Sequence, residues 1–169
     1  MRTGFTQDAQ LISVSTAFGK DKLLVESFSG TEELSRPFGF SLSMKSAEVA
    51  LDPATVVGTS ATVTVKHPDG MTRYFNGIIS RFTQSGLDAD FAYYSAEMVP
   101  ALWLLSLSRD RKIWQNQTAV QIIEAVLTDA GVTFEKKLKG SYDTREYCVQ
   151  YDESPLDFIT RLMEQEGIF

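Results

Sequence analysis

The residues with the most obvious chemical potential are a lone cysteine, Cys148, and a lone histidine, His67. A cysteine nucleophile needs an adjacent base to hold it as the thiolate, and His67 falls in a predicted hairpin many residues away. Cys148 is therefore expected as a small buried hydrophobe in a strand. His67 immediately precedes Pro68, where a residue beside a turn is exposed and plays a minor polar role at most. One cysteine forms no intrachain disulfide, and one cysteine with one histidine cannot build a Cys/His zinc cage. A reducing cytoplasm is the simplest home for such a chain.

Carboxylates offer more combinations. The pairs Asp152/Glu153 and Glu164/Glu166 are the types that act as acid and base in glycoside cleavage, which requires a defined separation that sequence does not reveal. Acidic residues at a helix start and on an exposed helix face are the commoner explanation, because they solvate the surface and complement the helix dipole. Asp88 and Asp90 resemble calcium ligands only in type, since the spacing and closing glutamate of an EF-hand loop are missing. Arg109-Asp110-Arg111-Lys112-Ile113-Trp114 mixes cations with an aromatic in a way that can stack on bases. In a net acidic chain it is better read as pairing with neighbouring carboxylates or a partner subunit, with Trp103 and Trp114 anchoring a junction between subdomains. Asn116-Gln117-Thr118 fits the glycosylation pattern but reads as a helix start. Neither a phosphate-binding loop nor a dinucleotide fingerprint is present. The sequence thus predicts no catalytic residue, no cofactor site and no metal site.

The elements that would position these groups divide near Pro100. Up to there, short alternating runs of β-branched and aromatic residues separated by turn residues predict a barrel-like antiparallel β domain over residues 1–100. Residues 11–18 and 22–28 flank Gly19-Lys20-Asp21 as two strands of an expected hairpin. Phe38, Phe40, Leu42 and Met44 alternate with Gly39, Ser41 and Ser43, predicting a strand with one dry face. Asp52-Pro53 followed by Gly58 predicts a single helical turn. Residues 60–67 and 72–82 flank Pro68-Asp69-Gly70, the strongest hairpin signal. Gly77 inside the second of these suggests a bulge or a close backbone approach. Residues 91–99 supply a further strand.

Residues 101–169 are expected to form a small α+β subdomain with two amphipathic helices. In 118–130 the apolar residues recur at helical spacing behind a Thr118/Gln121 capping box. In 154–166 Ser154 caps, Pro155 opens, and Gly167 closes a second helix. Between them, residues 132–138 and 145–151 read as strands. The fold class predicted is α+β, mainly β.

Bulk composition bounds the function. The 169 residues are 43% hydrophobic, enough for a packed core, and the net charge is −6, which disfavours nucleic acid and anionic lipid as partners. No apolar stretch approaches the length of a membrane span, so no stable membrane insertion is expected. Met1 to Asp8 shows no run of a secretion signal. If the protein leaves the cell, a dedicated machine must carry it.

Several local strings, in order along essentially the whole chain, resemble VgrG-type spike proteins of type VI secretion and the related hub and late-control proteins of contractile phages. They are Gly30-Thr31-Glu32-Glu33-Leu34-Ser35-Arg36-Pro37-Phe38, Arg73-Tyr74-Phe75-Asn76-Gly77-Ile78-Ile79, Pro100-Ala101-Leu102-Trp103-Leu104-Leu105 and Ile113-Trp114-Gln115. A closing block runs from Tyr147-Cys148-Val149-Gln150-Tyr151 through Phe158-Ile159-Thr160-Arg161-Leu162 to Gly167-Ile168.

The resemblance implies a structural hub, not an enzyme. Such a hub is a homotrimer docked on a hexameric tube protein, each protomer presenting two barrel-like domains to a six-fold ring. It continues into a β-helical needle with a tip protein and delivers effectors directly or through adaptors. It would assemble in the bacterial cytoplasm and leave by contractile injection. On that pattern the second barrel and needle would follow Phe169, and the segment alone would carry an incomplete sheet edge and trimer interface. The competing readings are a baseplate hub of a contractile phage or phage-tail-like particle, a module that binds an effector or adaptor, and, more remotely, a cell-wall hydrolase using the carboxylate pairs.

Overall fold

The computed structural model describes residues 5–169; Met1–Gly4, the start of the stretch read for a secretion signal, lies outside the described residues. The chain forms two compact units, one from the described residues up to Glu33 together with Phe38–Pro100, the other from Leu34–Pro37 and Ala101–Phe169. Among the described residues no helix is long and apolar enough to cross a membrane.

The first unit is a curled antiparallel sheet. Its strands are β1 (Ile12–Ser15), β2 (Leu24–Glu33), β3 (Arg36–Ser46), β4 (Ser60–Lys66), β5 (Thr72–Leu87) and β6 (Ala92–Val99), hydrogen-bonded in the order β1-β4-β5-β6-β3-β2. The sheet curls until its end strands, β1 and β2, approach each other. The predicted dry face of β3 is realised: Phe40, Leu42 and Met44 are buried while Gly39, Ser41 and Ser43 face solvent. They pack with Val63 of β4, Ile79 and Phe82 of β5, and Tyr94 and Met98 of β6. Each fully buried side chain of this kind contributes roughly 1.5–3 kcal/mol of transfer free energy. Tyr94 carries a hydroxyl into this core and satisfies it twice, donating to Glu48 O and accepting from Leu51 N–H, both at 3.1 Å.

Local turn chemistry behaves as the sequence indicates. Asp52 caps a single turn, Pro53–Thr55, its carboxylate accepting from Ala54 N–H, and Gly58 follows at φ 80°. The β4–β5 hairpin pairs Lys66 with Thr72 and Val63 with Phe75. Gly77 is a close approach: a Cβ there would lie 2.6 Å from Val99 O and 2.9 Å from Met98 Cγ. The bulges of β5 fall elsewhere, where its register against β6 shifts between Ile79 and Arg81 and between Gln84 and Gly86.

The expected hairpin across Gly19-Lys20-Asp21 does not form. β1 pairs with β4, Val14 opposite Val63, and β2 lies at the other end of the sheet. The turn reverses the chain, but curling sends the two strands to opposite sides of an open seam. At that seam the Gln7 side chain does what a neighbouring strand would do: its Nε2 donates to Val14 O at 3.1 Å and its Oε1 accepts from Val14 N–H at 2.8 Å.

The second unit pairs β7 (Asp110–Thr118) with β8 (Thr144–Glu153) and packs the ribbon on α1 (Ala119–Asp129) and α2 (Pro155–Glu166). Both helices begin as predicted. Thr118 Oγ1 accepts from Gln121 N–H while Gln121 Oε1 accepts from Thr118 N–H, satisfying two orphan donors reciprocally. Ser154 Oγ accepts from Asp157 N–H, and Gly167 closes α2 at φ 67°. The core holds Trp114, Ile122, Ile123, Val126, Phe158, Ile159 and Leu162. Trp114 is a core residue of this unit. Residues 132–138 form no strand, and β8 pairs instead with β7.

Candidate functional site

The second unit presents an unusual strand. In Tyr147-Cys148-Val149-Gln150-Tyr151 the inward positions are Cys148 and Gln150, and the outward ones are Tyr147 and Tyr151, which are exposed, and half-buried Val149. Alternation fixes this arrangement, but it places polar Gln150 inside, 2% exposed, and aromatic rings outside. Gln150 is accommodated because its Nε2 donates to Glu153 O at 3.1 Å.

Across the ribbon, Ile113 lies opposite Val149, Gln115 opposite Tyr147 and Arg111 opposite Tyr151. The outer face is therefore a strip of Tyr147, Val149, Tyr151 and Ile113 edged by Arg111 and Gln115. The Arg111 guanidinium lies 5.4 Å from the Tyr151 ring centre and 3.6 Å from Asp152. Asp152 is the extra residue of a bulge, at φ 54°. Tyrosine and arginine without lysine or glutamate on the strip is the composition of a protein–protein contact.

Two ion pairs tie the strip to α2. Arg161 of α2 donates to Glu153 Oε1 at 2.5 Å and to Val149 O at 3.3 Å, and its hydrogen bonding to the Glu153 carboxylate holds its pKa above the ordinary arginine value. At the other end Arg145 binds Glu166 at 2.6 Å and Gln165 at 2.9 Å. These charges are about a fifth to two fifths exposed, so they orient more than they stabilise.

The residues considered for chemistry are distributed as follows. Cys148 is buried opposite Trp114. His67 is exposed in the β4–β5 hairpin with its Nδ1 2.9 Å from Asp69. Of the carboxylate pairs, Glu153 is bound to Arg161 and Glu166 to Arg145, while Asp152 lies beside Arg111. Asp88 closes its own turn: the Tyr93 hydroxyl and the Asp90 and Phe91 N–H groups bond to it and hold its pKa below the ordinary carboxylate value, the tyrosine contributing most. No cluster of three or more His, Cys, Asp or Glu suited to a metal occurs among the described residues. The geometry supports non-covalent recognition. No motif marks this strip in the sequence; its signal there is the inverted polarity of residues 147–151.

Comparison with known proteins places these features in a family. Residues 31–169 match the model described as phage tail baseplate hub (GPD). The type VI secretion system spike protein VgrG1c of Pseudomonas aeruginosa is 40% identical over 166 residues, covering 98% of this chain and 23% of that protein. The chain spans about a quarter of the length of the curated relatives it matches. Among solved structures, the E. coli c3393 protein, described as a type VI secretion component similar to the T4 tail proteins gp27 and gp5, superposes with a TM-score of 0.74. It is 31% identical, over 83% of this chain and 39% of that one. The 43 kDa tail protein of prophage MuSo2 from Shewanella oneidensis shares the fold alone, at TM-score 0.63 and 15% identity, over 92% of this chain and 48% of that one.

Proposed function

The chain belongs to the phage tail baseplate hub family, and on that premise we propose that it is the N-terminal hub segment of a type VI secretion spike. The observation that carries this reading is the 40% identity to a type VI spike protein along 98% of the chain. In the proposed role the segment acts by packing and docking, not by catalysis. Its first unit is one of two barrel-like domains in each protomer of a homotrimer, and three protomers offer a near six-fold ring to a hexameric tube protein. A needle, a tip protein and effectors or adaptors attach through regions outside these residues. Assembly takes place in the bacterial cytoplasm and export follows sheath contraction.

Electron microscopy of spikes containing this segment tests the proposal. The expected result is a three-fold particle seated on tube rings. Particles without three-fold symmetry, or spikes that never engage a tube, would remove the reading in favour of a different hub. The outward strip of Tyr147, Val149, Tyr151 and Ile113 favours a second reading, in which this unit also recruits an adaptor or effector. A pull-down of the assembled spike that loses one component on Tyr151→Ala while keeping tube and tip supports it; retention of every component counts against it.

A further inference from the structure

Beside the Asp110 end of the β7–β8 ribbon, within the second unit, lies a small cavity of about 250 Å³. That is below the roughly 300–1,000 Å³ of sites that enclose small-molecule ligands, and it suits one long side chain. Leu104, Leu105, Val126 and Pro155 supply apolar wall, of which Leu105 and Val126 are buried members of the core.

The polar groups at the cavity do not cancel. Gln150 lines it and is 2% exposed. Its Nε2 donates to Glu153 O at 3.1 Å, which leaves its Oε1 with no donor among the described residues. A buried acceptor in that state costs free energy until a donor arrives. Lys112 is committed elsewhere, its Nζ 3.2 Å from Asp129 Oδ2 and 4.3 Å from the centre of the Trp114 ring. Arg109 and Arg111 are both turned to Asp152. Asp110 accepts only from Arg111 N–H, at 2.7 Å through Oδ1, and among the described residues no cation pairs with it.

The cavity thus joins an aliphatic wall to one uncompensated carboxylate and one orphan amide oxygen. A side chain that answers all three has an aliphatic stem and a cationic head with several donors. The free oxygens choose between lysine and arginine. Asp110 Oδ1 is taken by Arg111 N–H and Asp129 Oδ2 by Lys112, so neither carboxylate presents both oxygens to a planar guanidinium fork. An ammonium makes single bonds to separate acceptors.

We infer that this cavity is a socket for a lysine side chain projecting from a partner protein, its stem against the apolar wall and its ammonium on Asp110 and Gln150 Oε1. The assignment needs nothing from the spike reading above.

N-acetyl-lysine amide titrated at low salt into the isotope-labelled 169-residue chain, followed by NMR, is the test. Saturable shifts are expected at the Gln150 side-chain amide and at Ala130 N–H on the cavity rim, with a dissociation constant of about 1–20 mM. The norleucine analogue, which keeps the stem without the charge, and the arginine analogue should each bind at least ~5-fold more weakly, and Asp110→Asn should weaken the lysine derivative to the same extent. Ala130→Leu, which fills the cavity and leaves its charges in place, should abolish the shifts. Asp110 and Ala130 are both exposed, so unchanged circular dichroism controls for folding. No saturable shift up to about 50 mM, equal binding of either analogue, or parent-like binding by Asp110→Asn or Ala130→Leu would each overturn the assignment. None of these outcomes bears on three-fold assembly.

Discussion

Replacing Gln7 with alanine removes the side chain that closes the seam beside β1. Gln7 is 6% exposed and exchanges two hydrogen bonds with Val14, at 2.8 and 3.1 Å, while its own N–H donates to Asp21 at 2.9 Å. The backbone bond to Asp21 survives the substitution; both bonds to Val14 are lost. Each buried backbone group left unpaired costs about 1–3 kcal/mol. Recovered glutamine rotamer entropy returns up to ~2 kcal/mol, and water entering the seam offsets part of the remainder. The expected destabilisation is about 2–3 kcal/mol.

Urea unfolding followed by far-ultraviolet circular dichroism measures this loss, and amide exchange localises it, with Val14 losing protection first. Gln7→Glu adds a control with a definite sign. Its ionised carboxylate accepts from Val14 N–H but repels Val14 O, while its protonated form donates again. Its folded pKa is therefore raised, and the stability of the protonated form, fully present below the unfolded glutamate value, is lost as pH rises through the folded one. If Gln7→Ala unfolds within about 0.5 kcal/mol of the parent, the scatter expected of an ordinary surface change, with Val14 still protected, the seam is not held by this side chain.

Two further tests address the first unit. A Cβ at Gly30 would lie 2.3 Å from Gly39 O and 2.9 Å from Phe40 Cα, backbone atoms that yield only if β2 and β3 separate. Gly30→Ala should therefore destabilise by roughly 1–3 kcal/mol, as overpacking does, and parent-like unfolding would show that the hairpin relaxes freely. Tyr93 is the leading cause of the lowered Asp88 pKa, so Tyr93→Phe should move the Asp88 titration upward toward the ordinary carboxylate value. Because a depressed carboxylate stabilises above its unfolded pKa and stops doing so as pH falls through the folded one, the variant should also lose part of the parent's acid dependence. An unmoved carboxyl resonance in an NMR titration would assign the shift to the two backbone donors instead.

The legible parts of the fold are those whose signals lie within a few residues of one another. Thr118 with Gln121, Ser154 with Asp157, the alternation of Phe38 to Met44 and the turn at Pro68-Asp69-Gly70 all act locally, and all form. What was not legible depends on partners distant in sequence. The Gly19 region has the chemistry of a tight turn, yet only sheet curvature decides that β1 takes β4 as its neighbour. β7 carries mostly polar residues with Ile113 and Trp114 alone apolar, so nothing in its own composition marks it as a strand until β8 lies beside it. Residues 132–138 have the opposite character, with strand residues and, among the described residues, no paired strand. At the outer strip the alternation was readable but its direction was not, because Gln150 inside and Tyr151 outside reverse the usual polarity.

The two ion pairs that tie β8 to α2 sit at opposite ends of the strand, Arg145 with Glu166 and Arg161 with Glu153. A strand fastened at one end can be peeled, each rung giving way before the next is loaded. Fastened at both, β8 shares a pull along its length between its anchors and the rungs to β7, so they resist together or fail together. The pairs set direction more than strength: each fixes one end of β8 over α2.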